Sequence, residues 1–195
     1  ATGADQVYRG RLAERRRVTE WTRSTAGELL LHDGQPIRAY YHAACGGRTA
    51  RPSDLWERAD GAYLRSVADT APDGTAYCRT APLHRWERRW SATEVATAVD
   101  PDSARPLRAL SVRVRSPTGR VTTLEAVVGE QAGNGDPDTL VVEKDGLLSL
   151  FPPGEPGLPS TWFDLVLSPP ASDSIVVEGR GAGHGVGLCQ WGAIG

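Results

Sequence analysis

The chain contains no methionine, and Lys144 is its only lysine, so arginine supplies nearly all of its positive charge. Its 22 Lys and Arg residues stand against 24 Asp and Glu, a formal net charge of −2. That balance removes the electrostatic case for nucleic acid, which needs a clear basic excess. No apolar run approaches the ~18 residues that a membrane-spanning helix requires. Neither G-x-G-x-x-G nor G-x-x-x-x-G-K-[ST] occurs, which removes the two common glycine-rich cradles for phosphate. Neither C-x-x-C nor H-x-x-x-H occurs, so spacing reveals no metal site and none is expected. No convincing pair of carboxylates for glycosidase chemistry stands out.

Glycine is what the sequence has in concentration. The run GRGAGHGVGLCQWGA, Gly179 to Ala193, places a glycine at every second position from Gly179 to Gly187. In a helix or strand each would cost roughly 0.5–1 kcal/mol relative to alanine, so the run is not built for regular structure. A bare main chain carrying His184, Gln190 and Trp191 as its large side chains suits a polar, ring-shaped ligand such as a sugar. The competing reading is a glycine-rich turn between two elements.

The remaining pattern is mostly strands and turns. Residues 11–25 read as a short amphipathic helix carrying Leu12, Val18 and Trp21. Glu28 to Leu31 and Pro36 to Tyr41 flank Asp33-Gly34, a strong hairpin signal, and the second strand would deliver His42 into the following loop. Trp86-Glu-Arg-Arg-Trp90 alternates like a strand with one covered face, and Ser91-Ala-Thr-Glu94 is a capping box for a helix that ends at Asp100-Pro101. Further strands are expected at 110–115, 120–128, 140–143, 147–151, 162–167 and 175–178, with turns at Pro117-Thr-Gly119 and Lys144-Asp-Gly146.

A second motif, AYYHAACGGRT from Ala39 to Thr49, is followed by Asp54-Leu-Trp56 and by Tyr63-Leu-Arg-Ser-Val67. Together with Leu158-Pro-Ser-Thr-Trp-Phe163 and GAGHGVGLCQWGA, these segments resemble, in order, those of the SpoIID/LytB family. That family comprises the stage II sporulation D proteins and amidase enhancers of bacteria. Its members carry YHS-x-x-GG-x-T, D-x-W, YL-x-x-V and G-x-GHGVGM-x-QWGA. They also begin with a GEMP-type segment, whose glutamate is taken as the catalytic acid, and an AARTYA-like helix. This chain has neither; its Asp5-Gln-Val-Tyr8 resembles a segment lying after that helix.

The resemblance implies a single β-rich α+β domain, expected to be truncated at both ends, whose two lobes of mixed strands and a few short helices enclose a substrate cleft. Lobe A would comprise 1–104 and 171–195, and the β-rich lobe B 105–170. The implied activity is cleavage of peptidoglycan glycan strands in the manner of a lytic transglycosylase, without a cofactor, in an extracytoplasmic setting. A non-catalytic module that binds cell wall and enhances an amidase is the alternative. No catalytic acid is assigned, since the family's glutamate has no counterpart here. One wall of the implied cleft would come from Tyr41, His42, Gly46, Gly47 and Arg48, and the other from Gly183, His184, Gly185, Gln190 and Trp191. In that setting Cys45 and Cys78 are expected to form a disulfide that pins the first motif. A metal site from the same two cysteines with His42 or His84 is the competing reading. Cys189 is expected as a free, buried small residue, with a Cys189–His184 nucleophile as the alternative.

Overall fold

The computed structural model describes residues 12, 14–57, 61–102, 105–129, 138–144, 146–149, 157–167 and 169–195. The chain divides into two compact units, Ala1–Ile37 and Arg38–Gly195. The first holds helix α1 (Arg16–Ser24), with no buried residue, and a minimal hairpin of β1 (Leu31–His32) and β2 (Gln35–Pro36). Arg16 and Glu20 pair along α1 at 2.9 Å, the i,i+4 spacing that places two side chains on one helix face. Asp33 and Gly34 both take positive φ, 50° and 76°, the tight turn expected of Asp-Gly. The ladder stops after Leu31↔Pro36 and His32↔Gln35, so the second hairpin strand does not run on to His42. Ile37 N donates to Leu30 O at 2.9 Å just beyond that pair.

The second unit carries most of the structure as two antiparallel three-stranded sheets. One has the order β4-β9-β8, built from Arg85–Ser91, Ser174–Arg180 and Phe163–Leu167; the other, β5-β6-β7, comes from Leu107–Arg115, Val121–Val128 and Asp138–Glu143. Trp86 and Trp90 are buried from β4, as its alternation implied. Helix α2 (Ala92–Val99) starts with the expected box: Ser91 Oγ accepts from Glu94 N at 3.1 Å while Glu94 Oε2 accepts from Ser91 N at 2.7 Å. One apolar core joins these elements, with Trp86, Val95, Leu110, Leu124, Phe163 and Ile175 among its members. Each such side chain, fully buried, contributes roughly 1.5–3 kcal/mol.

The expected strand at 147–151 is corrected. Gly146–Ser149 form the short helix α3, and residues 150 and 151 lie outside the described set. A short apolar run such as Leu147-Leu148 has no period that separates strand from helix, and one helical turn suffices to sink Leu147 completely. The architecture is therefore mixed α+β, with several small sheets and short helices.

A third pairing positions the site. Strand β3 (Tyr41–His42) runs parallel to β10 (Leu188–Cys189), with Tyr41↔Leu188 and His42↔Cys189 in register. Two residues beyond β3, Ala44 bridges Ala182.

Candidate functional site

The two motifs lie side by side and are joined through their main chains. Leu188 N donates to Tyr40 O, Gln190 N to His42 O and Trp191 N to Ala43 O, each at 3.0 Å, and Ala182 N donates to Ala44 O at 2.8 Å. Glycine is what permits this approach. Gly187 has φ +77°, and a Cβ there would overlap the Tyr40 carbonyl; at Gly181, φ +78°, a Cβ would lie 2.7 Å from the Ala44 carbonyl. The bare backbone of the glycine run thus faces the first motif of the same chain.

Of the expected site residues, Tyr41, Arg48, Gly183 and Gln190 are exposed. Gly47, His184 and Trp191 are half-buried, while His42, Gly46 and Gly185 are buried. Trp191 packs against the small cluster of Ala44, Cys45, Cys78, Ala81 and Cys189.

His184 sits among aromatic rings, its centroid 5.3 Å from Trp56, 6.1 Å from Tyr40 and 5.8 Å from His42. Its Nδ1 accepts from Val186 N at 3.0 Å, so in the neutral ring the proton is on Nε2. Burial, reinforced by His42, pushes its pKa down to about 4, and a backbone hydrogen bond at Tyr41 pulls the other way. His184 is consequently a neutral imidazole at pH 7 rather than a group poised near neutrality. His42 is 4% exposed, and its Nδ1 lies 3.1 Å from Val186 O. Its buried Nε2 has no hydrogen-bond partner among the described residues.

Arg120 is a determinant that the sequence did not reveal. It has no exposed surface, and Nη2 donates to the carbonyls of Cys45 at 3.1 Å and Arg48 at 3.4 Å. The guanidinium also lies 5.3 Å from the Trp162 ring centroid, and burial lowers its pKa to about 10. An arginine opening a β-strand reads as a solvated terminus, so no sequence signal marked it. Asp54 of the D-x-W segment likewise serves structure: its Oδ2 accepts from Thr118 Oγ1 at 2.6 Å and from Arg51 N at 3.1 Å. Where the glycine run leaves β9, Arg180 lies 4.3 Å over the Trp162 ring, and both residues line an open cavity of about 380 Å³.

The three cysteines, dispersed in sequence, come together beside Asp69, and all three are free thiols. Cys45 Sγ is 3.7 Å from Cys78 Sγ and 3.0 Å from Asp69 Oδ2. Cys189 Sγ accepts from Cys45 N at 3.2 Å and Gly192 N at 3.3 Å. Hydrogen bonding from Cys45 pulls the Cys189 thiol down against the effect of burial, while the same interaction and burial push Cys45 up. Burial also raises the Asp69 carboxyl.

Comparison with known proteins adds ancestry to this geometry. A family profile described as a domain of unknown function (DUF8618) matches residues 73–187, more than half of the chain. The chain belongs to the DUF8618 family. The DUF8618 match takes in Cys78, Arg120 and His184, whereas Cys45, Asp69 and Cys189 lie outside it. An uncharacterized protein of Brachyspira hyodysenteriae (strain ATCC 49526 / WA1) is 27% identical over 192 residues, 97% of this chain and 46% of that protein. Stage II sporulation protein D of Bacillus subtilis (strain 168) is 28% identical over 180 residues, 91% of this chain and 44% of that protein. The DUF8618 chain spans less than half the length of these curated relatives, and its relationship to the sporulation protein is remote.

Proposed function

We propose that this chain binds glycan strands of bacterial peptidoglycan in an extracytoplasmic setting and belongs to machinery that cleaves them as a lytic transglycosylase does, leaving 1,6-anhydromuramic ends. The observation that carries the reading is the main-chain pairing of the YHAACGG and GHGVGLCQWGA motifs. It supports the reading because the main chain of Leu188, Gln190 and Trp191 bonds to that of Tyr40, His42 and Ala43, with His184 packed among Tyr40, His42 and Trp56, in a chain remotely related to stage II sporulation protein D. Exposed Tyr41, Arg48 and Gln190 offer an aromatic ring with guanidinium and amide donors, the side-chain types that suit the apolar ring faces and hydroxyl edges of a sugar. His184, neutral, takes part in shape and hydrogen bonding rather than in carrying a proton.

A second reading, a non-catalytic module that holds glycan for a partner amidase, has one observation in its favour. Asp69, the half-buried carboxyl beside the motifs whose pKa burial raises, is engaged by Cys45. The two readings share the binding step and differ in product.

Incubation of the chain with peptide-free glycan strands, with sedimentation for binding and mass spectrometry for products, tests both. Binding is expected, and His184→Ala or Trp191→Ala should weaken it about tenfold, the scale of one truncated aromatic contact. Anhydro ends would establish cleavage by these residues; binding without products would favour the amidase-assisting reading. Absence of binding by a chain that melts cooperatively would refute the proposal.

A further inference from the structure

We propose that Cys45, Cys78, Cys189 and Asp69 form a tetrahedral site for one thiophilic divalent cation, zinc by its donor set. The four ligand atoms, three Sγ and a carboxylate oxygen, all lie within 4.8 Å of one another. They come from four separate segments: the loop after β3, the stretch preceding the bridge Thr70↔Ala76, the 3-10 turn Tyr77–Thr80, and β10.

The spacing matches a shared cation. Zinc binds thiolate sulfur at about 2.3 Å, so two sulfurs on a tetrahedral centre stand about 3.8 Å apart. Cys45 and Cys78 stand 3.7 Å apart. A disulfide would require about 2.05 Å.

The surroundings are those of metal-bound thiolates. Cys45 Sγ accepts from Gly47 N at 3.2 Å, and Cys189 Sγ accepts from Cys45 N and Gly192 N. Such N–H donors fix the direction of sulfur lone pairs and offset thiolate charge. His84 Nδ1 lies 3.6 Å from Cys78 Sγ. His42 Nδ1 donates to the Val186 carbonyl, which leaves its buried Nε2 as an acceptor without a hydrogen-bond partner among the described residues. With four protein donors the site is closed, which makes the cation structural. Its effect would be to tie the first motif, Cys78 and the C-terminal motif into one rigid frame. The inference does not depend on what the frame binds.

The experiment uses the full chain, purified with reductant, stripped by chelator and titrated with Co(II) and then Zn(II). One equivalent of cobalt is expected to give the intense visible d–d bands of a tetrahedral site and a near-ultraviolet thiolate charge-transfer band, both abolished by one equivalent of zinc. Zinc should raise the melting temperature of the stripped protein, since it binds the folded chain. Cys189→Ser and Cys78→Ser should remove or weaken the charge-transfer band, and Asp69→Asn should weaken zinc affinity by at least about tenfold. If these variants fail to fold, the spectrum of the unaltered chain decides. Three titratable thiols together with weak octahedral bands and no charge transfer would overturn the proposal. So would a Cys45–Cys78 disulfide whose reduction yields a chain that takes up no cobalt. Loss of glycan binding alone would leave these readouts unchanged.

Discussion

A guanidinium without solvent contact is expensive unless its surroundings supply acceptors, and Arg120 meets that condition only through Nη2, which grips the main chain of the first motif, while its buried Nε and Nη1 have no hydrogen-bond partner among the described residues. Two carbonyls, those of Cys45 and Arg48, and the face of Trp162 replace water around it. His184 shows the complementary strategy, in which a titratable ring is kept neutral. Its folded pKa of about 4 lies below the ordinary 6.5, so between those values the unfolded chain takes up a proton that the folded chain refuses. Stability from this group is therefore complete above pH 6.5 and lost as pH falls toward 4. The melting temperature should fall more between pH 7 and pH 4.5 in the unaltered chain than in His184→Gln. Equal falls would place the acid sensitivity elsewhere.

At the scale of elements, the parallel pair β3 and β10 is only two residues long, and glycine makes it possible. The alternation was legible as a segment that forms no ordinary strand, which holds from Gly181 to Gly187 while Gly179 still pairs within β9, but not as one that packs on its own chain. Gly187→Ala brings both a disfavoured φ and a collision with the Tyr40 carbonyl, a backbone atom that cannot swing aside. The expected cost is roughly 1–3 kcal/mol, together with loss of protection at the amides of Leu188 and Gln190 in hydrogen exchange. A melting temperature equal to that of the unaltered chain would mean that the loop can separate without consequence. Elements with strong local codes were read correctly: the Asp-Gly hairpin turn, the Ser91 to Glu94 box and the alternating β4. The stretch from Leu147 was misread because four residues carry no period.

At the scale of the whole molecule, the buried side chains among the described residues belong to positions after Ile37. Among the described residues before that point, all of α1 and the hairpin strands are free of buried side chains. The cooperative unit should therefore be 38–195, held by the core of Trp86, Phe163 and their neighbours. A chain beginning at Arg38 should melt in one transition within about 4 °C of the unaltered chain, a shift of about 1 kcal/mol for a domain of this size. Loss of the transition would show that the first 37 residues contribute to folding.

The sequence alone determined the polar balance, the mixed strand and helix content, the turns, and the ordered motifs that point to stage II sporulation protein D. These are local or compositional properties, written in spacing and residue type. Tertiary structure alone decided that glycines close a gap between two motifs 140 residues apart. It also buried Arg120, and set three cysteines and an aspartate around one point. Those facts depend on which distant segments the core brings together, and separations of 24, 33 and 144 residues leave no periodic trace for a sequence to show.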